Sequence, residues 1–240
     1  SFTLKSFLYD PELCNVSYTQ INDKQYQYDG ELVKAFTDSV GIPSTGHNLV
    51  LFHLIGQHHS VDERYPDEFR RFNSDSIKRD APYLGEKEKA YIASYDNATL
   101  YNDFVLYDIM ERFGHTNTLL LYLSDHGEEV YDYRDQCARD HGPMSALKMK
   151  YQYDVPFIVW CSDTFKSKYP HIVNDIKGAT KRPIVTDNIC HMLFNIASIK
   201  TPYYREEFDI LSPNYKLGKR IINHIHNYDE IRFPQTQFPH

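Results

Sequence analysis

The sequence predicts an α/β fold in which a mostly parallel central sheet is covered by helices on both faces. Three short apolar runs, each the length of one strand, alternate along the chain with patterns of helical period. The runs are too continuous for strands with one solvated face, and this favours strands that are buried on both faces. Alternation of such strands with helices is typical of parallel sheets.

The composition bounds the class of protein. The chain has 240 residues, which is enough for one large α/β domain or most of one. Its net charge is −7 and it has no basic run, so nucleic acid is not an expected partner. A mean hydropathy of −0.57 and the lack of a long apolar run predict that this segment itself is soluble. The four cysteines form no CxxC pair and therefore indicate no structural zinc site.

The first half of the chain contains one predicted helix and one predicted strand. Residues 1–28 are polar and predict at most a strand or an irregular cover. Apolar residues at helical spacing follow Gly30 and stop at Gly41, which predicts an amphipathic helix. Asn48–Ile55 (NLVLFHLI) predicts a buried strand. Ser60–Asp80 predicts an ordered surface excursion, because its aromatic rings are costly to leave exposed.

The second half repeats this pattern. Gly85–Phe113 predicts a long helix, and Leu119–Leu123 predicts the central strand. A hydrophilic loop follows over Glu129–Lys150, before a third strand at Val155–Trp160 and a helix at Pro183–Ile199. Two short strand candidates remain, at Arg220–Ile225 and Glu230–Phe233. No linker or repeat interrupts the chain, so residues 1–240 are predicted to form one domain.

The central strand ends at a group of candidate metal ligands. Asp125 and His126 follow Leu119–Leu123 directly, and ligands of parallel sheets collect at the carboxyl ends of strands. Both residue types are good ligands for a divalent cation. Gly127 would let the backbone turn sharply and keep the two side chains at the rim. The alternative interpretation is an Asp that caps the next helix beside an ordinary loop histidine.

Two further loops share this composition, at Gly56–His59 and Arg139–Pro143. If the strands are parallel, the first loop lies at the same sheet edge and the second can fold over it. Histidines from three loops would then converge with Asp125. Such a set can hold Zn²⁺, which acts as a Lewis acid on a phosphoryl or sulfuryl oxygen, while other histidines bind the non-bridging oxygens or donate a proton.

These motifs resemble the alkaline-phosphatase/sulfatase superfamily, and within it the phosphoethanolamine transferases that decorate lipid A and related envelope glycans. SDHGE is shared with many sulfatases. LVLFHLIGQHHSVDERYPDEFRRF resembles the strand, G-S-H-G-P turn and R-Y-P-x-x-F-x-x-F tail of the transferases. Tyr95–Tyr101 (YDNATLY) is similar to their Y-D-N-x-x-x-Y helix, and the resemblance runs in order from about Tyr28 to Ile199.

The resemblance implies roles for individual residues. Asp125 and His126 match a pair of metal ligands for Zn²⁺ or another divalent ion. His58 and His141 match histidines of the phosphate pocket. In the family pattern Ser and Gly flank the residue that matches His58, and this sequence departs from that pattern at both positions. Three residues are candidates for substrate contact or for support of the site: Gln57, His59 and Glu128.

The nucleophile of the family has no counterpart in this chain. In the family, a nucleophilic Thr and the first acidic ligand lie well upstream of the residue that matches His58. Neither Thr3 nor Thr19 has the setting of a strand-to-helix turn. We therefore expect the C-terminal part of a catalytic domain, inactive by itself. Membrane helices precede this part in the family, which implies the periplasmic face of the bacterial inner membrane and membrane contact only through the missing N-terminal segment.

The implied reaction is a two-step transfer. A zinc-activated Thr takes phosphoethanolamine from phosphatidylethanolamine, and the phospho-enzyme passes it to lipid A or another envelope lipid or glycan. A sulfatase or phosphodiesterase of the same superfamily and a lipoteichoic-type glycerol-phosphate polymerase are alternatives within enzymes. An inactive metal- or phosphate-binding remnant is the alternative of another class. The clustered ligand residues speak against it, because such groups cost stability when they are buried without a cation.

Overall fold

The structure is a computed structural model that describes residues 27–43, 45–137 and 143–233. The chain divides into two compact units, and the boundary lies between Phe113 and Gly114. The single domain over residues 1–240 stays a prediction.

Two helices organise the first unit. Helix α1 spans Asp29–Ser39 and helix α2 spans Glu86–Phe113, so both predicted helices are confirmed. Between them, three short 3-10 helices pack against α2. They lie within the predicted excursion, which is therefore ordered: Val61–Glu63, Asp67–Phe69 and Ser74–Ser76.

The core of the first unit follows from the helical period. Helix α2 buries Tyr101, Val105 and Ile109 at intervals of four residues, which places them on one face of the helix. Leu32 and Val33 of α1 are buried as well. An aromatic cluster adds to this packing, and its rings belong to Phe36, Phe52 and Phe113.

The strand predicted at Asn48–Ile55 is wrong for this structure. The segment is not a strand, and its side chains alternate between half-buried and exposed, with Leu49 at 84% and Leu51 at 58% exposure. A strand needs the backbone of a neighbour, and no strand of the described residues pairs with this segment. The prediction assumed a neighbouring strand and a covering layer of helices, and the described residues supply no such strand.

The second unit contains the strands that the structure describes. β1 spans Leu119–Leu123 and β2 spans Phe157–Cys161, which confirms two predicted strands. They pair antiparallel, with Leu123 opposite Phe157, and both are half-buried. The predicted parallel arrangement is therefore not found between them. The described part of the connection contains one short helix, α3 (Ala146–Tyr153), and β2 begins at the end where β1 stops.

Short helices complete the second unit: α4 (Asp163–Lys168), α5 (Pro170–Ala179), α6 (Ile189–Ile196) and α7 (Tyr228–Arg232). Helix α6 is shorter than the predicted helix because a 3-10 turn precedes it. Met192 of α6 is fully buried against Ala179, Ile210 and Leu211.

The end of the described chain holds a small second sheet. β3 (Ile221–Ile222) and β4 (His226–Asn227) pair antiparallel, and β3 lies inside one predicted strand. The other strand prediction, Glu230–Phe233, is wrong because α7 covers most of it. The Asn227 side chain accepts a hydrogen bond from the Asp229 backbone N–H and so caps this helix. None of the helices in the described ranges has the length and apolar character of a membrane span.

Candidate metal and phosphate site

The SDHGE loop holds its two candidate ligands in one tight turn after β1. The Ser124 hydroxyl donates to the His126 carbonyl oxygen at 2.6 Å. The His126 backbone N–H donates to Asp125 Oδ1 at 3.0 Å. The Asp125 side chain is nevertheless 87% exposed, so its carboxylate stays accessible to a cation from solution.

The ring of His126 is oriented as a ligand. Its Nδ1 lies 3.0 Å from the Gly127 carbonyl oxygen. A carbonyl only accepts, so this contact places the proton on Nδ1 and leaves the Nε2 lone pair available. Nε2 lies 3.7 Å from Asp125 Oδ1. Two ligand atoms on one tetrahedral zinc ion are roughly 3.4 Å apart, so this pair fits two positions on one ion.

Gly127 is required for a different reason than the sequence suggested. It is not among the glycines with a left-handed backbone. Its N–H donates to the Gln152 carbonyl oxygen at 3.0 Å, and a Cβ at this position would overlap the Tyr151 carbonyl oxygen. The end of α3 therefore approaches the loop so closely that only glycine fits.

The residues after Gly127 hold the loop from its other side. Glu128, a candidate for substrate contact, is half-buried. Glu129 is fully buried and forms a two-point ion pair with Arg134, with Nε–Oε1 at 2.6 Å and Nη2–Oε2 at 2.8 Å. The sequence analysis did not identify this pair, because nothing in the motif distinguishes the second glutamate from a solvated one.

The histidine loop of the first unit is also a tight turn. Gly56 has a φ of +56°, which favours glycine, and the His58 backbone N–H closes the turn onto the Ile55 carbonyl oxygen at 3.3 Å. The Gln57 amide donates to the Thr99 hydroxyl of α2 at 3.3 Å. His58 and His59 are exposed, and the centroids of their rings lie 3.9 Å apart.

Two charged side chains fix the backbone of this loop. The guanidinium of Arg64 donates twice to the His59 carbonyl oxygen, at 3.2 and 2.9 Å. The carboxylate of Asp29 accepts from the backbone N–H groups of Ile55 and Gly56, at 2.9 and 2.8 Å. Burial raises the pKa of Asp29, although these two hydrogen bonds oppose the shift. Sequence reasoning missed Asp29, because an acid in the first turn of a helix is ordinary.

The predicted site residues are thus distributed over two units. His58, His59 and Gln57 lie in the first unit, whereas Asp125 and His126 lie in the second and adjoin each other. His141 lies outside the described residues. Within the described part of the chain, no three His, Cys, Asp or Glu side chains are gathered so that they could hold a metal ion. Convergence of the three loops stays a prediction.

Two solved structures share the fold of this chain. It is similar to the C-terminal periplasmic domain of EptC from Escherichia coli, with a TM-score of 0.76 and 26% identity over 89% of this chain and 61% of that one. A structure of that EptC domain in complex with Zn matches with a TM-score of 0.73 and 24% identity, over 92% of this chain and 61% of that one.

Residues 2–199 match the Sulfatase family model, and the chain belongs to the sulfatase family. It is 27% identical to phosphoethanolamine transferase EptC of Escherichia coli K12 over 90% of its length. It is 29% identical to the Kdo(2)-lipid A phosphoethanolamine 7''-transferase of the same strain over 56% of its length. The chain spans 40% of the first relative and 23% of the second. These matches confirm the resemblance seen in the motifs.

Proposed function

We propose that this chain is the C-terminal part of the catalytic domain of a phosphoethanolamine transferase at the periplasmic face of a bacterial inner membrane. The donor would be phosphatidylethanolamine, and the acceptor lipid A or a related lipid or glycan. The observation that carries the proposal is the similarity to EptC over 90% of this chain, which includes both histidine loops and SDHGE. The whole activity belongs to a longer protein in this proposal.

The proposed metal is zinc, held in part by Asp125 and His126. The support is the pair geometry: Nε2 of His126 carries an available lone pair 3.7 Å from an oxygen of the exposed Asp125 carboxylate. When bound, zinc would act as a Lewis acid on the phosphoryl group. The remaining ligands would come from outside the described residues, together with the nucleophilic Thr.

The proposed task of His58 and His141 is to bind the phosphoryl oxygens as negative charge develops on them. An imidazole can supply an N–H to such an oxygen or a proton to a departing alcohol. The exposed ring of His58 on a braced turn suits this role. Gln57, His59 and Glu128 are proposed to contact substrate or to support these groups.

We also propose that Asn48–Ile55 becomes a strand of a mostly parallel sheet in the longer protein. The segment already alternates between half-buried and exposed side chains, and the exposed side includes Leu49 and Leu51. A neighbouring strand from the rest of the domain would supply its missing hydrogen bonds. Its end, at Gly56, would then lie at a strand exit, where the ligands of such sheets bind.

Replacement of Asp125 by Ala in the complete protein tests the metal and the activity together. We expect bound zinc to fall below one ion per molecule by metal analysis, and transfer of phosphoethanolamine from labelled phosphatidylethanolamine to be lost. Asp163→Ala is the matched control, because it removes another exposed carboxylate of the same unit. A fully active Asp125→Ala protein with normal zinc content would reject the assignment. Hydrolysis of a sulfate ester by the wild type, without transfer, would favour a sulfatase instead.

A further inference from the structure

Asp29 has an unusual position for a charged side chain. It is the first residue of α1 and is only 6% exposed. Its two oxygens are divided between consecutive backbone amides, with Oδ1 on Ile55 and Oδ2 on Gly56. These two residues directly precede Gln57 and His58 in the chain. The carboxylate therefore fixes the last peptide groups before the candidate phosphate-binding histidine.

Helix α1 does not need this carboxylate as its cap. The carboxylate of Glu31 accepts from the backbone N–H groups of Gln27 and Tyr28, at 2.6 and 3.1 Å. The Gly30 N–H donates to the hydroxyl of Tyr101 at 3.0 Å. Other side chains thus bind the backbone N–H groups at the start of the helix. Both oxygens of Asp29 instead bind residues that are distant in sequence, Ile55 and Gly56.

Burial of a carboxylate is unfavourable because the charge loses its hydration, so a buried carboxylate needs a structural reason. A neutral hydroxyl or amide has a single acceptor oxygen, and its burial carries no loss of solvation for a charge. The carboxylate gives each of the two successive N–H groups an acceptor oxygen of its own. Burial of Asp29 therefore costs the hydration of its charge, and in return its two hydrogen bonds fix the direction of the backbone at Gly56.

We infer that Asp29 is a positioning residue for the loop that carries His58 and His59. It acts on the entry side of the turn, while Arg64 holds the exit side through the His59 carbonyl oxygen. The structural part of this inference stands by itself, and its catalytic consequence rests on the proposed function. In that reaction a misplaced His58 would weaken binding of the transition state more than binding of the donor.

The structural part is tested with Asp29→Asn on the 240-residue chain that also carries Leu49→Lys and Leu51→Lys, two changes that oppose association through Asn48–Ile55. The amide keeps one acceptor and turns an NH₂ donor toward the second N–H, so one hydrogen bond is lost. We expect amide hydrogen exchange at Ile55 or Gly56 to become at least about tenfold faster. The ring resonances of His58 should shift in the same NMR spectra. Glu31→Gln is the matched control, since it removes a carboxylate at the same helix end that accepts from the Gln27 and Tyr28 N–H groups.

The catalytic part is tested in the complete protein with the same two variants. For Asp29→Asn we expect kcat to fall about 10- to 100-fold while KM for phosphatidylethanolamine changes less than about twofold. Glu31→Gln should retain nearly wild-type kcat. Equal losses in both variants would mean a general structural effect and would overturn the catalytic part. Should Asp29→Asn fail to fold, Asp29→Ser introduces no amide donor and is expected to change kcat in the same direction.

The two experiments separate this inference from the proposed function. If the wild-type protein transfers no phosphoethanolamine, the proposed function fails, and the exchange rates at Ile55 and Gly56 still decide whether Asp29 positions the loop. Unchanged exchange and unchanged His58 resonances in Asp29→Asn overturn the inference whatever the activity. Faster exchange together with a selective loss of kcat supports both.

Discussion

At the scale of single residues, two glycines meet different requirements in the two candidate loops. Gly56 supplies a backbone angle, with a φ of +56° at the entry to the histidine turn. Gly127 supplies space, because the Tyr151 carbonyl oxygen occupies the position that a Cβ would need. A carbonyl at the end of a helix cannot move aside as the tip of a flexible side chain can. The SDHGE loop therefore needs glycine at position 127 because the end of α3 packs directly against it.

Replacement of Gly127 by Ala should destabilise the second unit by about 2 kcal/mol, because the methyl group must displace the end of α3. It should also lengthen the hydrogen bond from the Gly127 N–H to the Gln152 carbonyl oxygen. Urea unfolding followed by the fluorescence of Trp160, the sole tryptophan, measures this change. Trp160 lies in β2 and reports on the second unit.

Gly178→Ala is the control for the glycine substitution. Gly178 lies inside α5, and a Cβ there would meet nothing within 4 Å. This variant should be neutral or up to about 1 kcal/mol more stable, because alanine favours the helix. Equal free energies of unfolding for the two variants would contradict the packing argument at Gly127.

Single residues also show what the sequence could predict about the site. Asp125 and His126 were predicted as neighbouring ligands because an acid and a histidine follow an apolar strand. The structure places Nε2 of His126 3.7 Å from Oδ1 of Asp125, and their role as ligands stays a prediction. Asp29 and Glu129 were missed, since their partners are a distant backbone and a half-buried arginine. An isolated acidic residue carries no sign of its burial. The placement of His58 relative to Asp125 depends on tertiary packing, and periodicity does not encode it.

At the scale of elements, α2 braces the segments that carry the family resemblance. The side-chain oxygen of Asn97 accepts from the backbone N–H groups of Arg71 and Phe72, and its nitrogen donates to the Phe72 carbonyl oxygen. Tyr101 holds the start of α1 through the Gly30 N–H. Residues of the YDNATLY motif thus fix the tail of RYPDEFRRF and the helix of Asp29. Their role in this structure is to anchor backbone.

The contact between α2 and α1 predicts a dependence on alkaline pH. Burial raises the pKa of Tyr101 to about 12, whereas an unfolded tyrosine titrates near 10. Between these values the folded chain holds a proton that the unfolded chain has lost, so stability falls as the pH rises. Tyr101→Phe lacks this titration. Its stability relative to wild type should therefore improve between pH 9 and pH 11, by up to about 1 kcal/mol after allowance for solvent screening.

Urea unfolding monitored by circular dichroism at both pH values measures this difference. At pH 9 the phenylalanine variant should be less stable, because the Gly30 N–H loses its acceptor. Tyr107→Phe is the matched control, since Tyr107 lies on the same helix and is 57% exposed. A gap between Tyr101→Phe and wild type that is the same at pH 9 and pH 11 would show that the Tyr101 hydroxyl is not held as described.

Elements differ in how far sequence alone could predict them. Helices α1 and α2 were predicted because several turns of apolar spacing and a terminal glycine specify them. Strand direction could not be predicted, because alternation with helices does not specify at which end of one strand the next strand begins. β1 and β2 proved antiparallel. Helix α7 was mistaken for a strand because its local cap at Asn227 outweighs the residue pattern.

At the scale of the whole molecule, the segment Asn48–Ile55 exposes an apolar side. Leu49 and Leu51 are 84% and 58% exposed, and no strand of the described residues pairs with the segment. The chain spans 61% of the solved EptC domain that it resembles. Extended apolar backbone with unpaired N–H and C=O groups is a template for association with another chain. We therefore expect the surface that the proposed function assigns to a neighbouring strand to promote self-association of this chain.

The isolated 240-residue chain should accordingly form species heavier than its mass of 28.3 kDa in size-exclusion chromatography with light scattering. The double variant Leu49→Lys and Leu51→Lys should be largely monomeric, because two lysines in this exposed segment oppose its pairing with another chain. The control carries Tyr203→Lys and Ile225→Lys, which replace two apolar residues of similar exposure in the other unit, 78% and 77%. It should associate as the wild type does. A monomeric wild-type chain, or equal dispersal by both double variants, would show that this segment does not drive association.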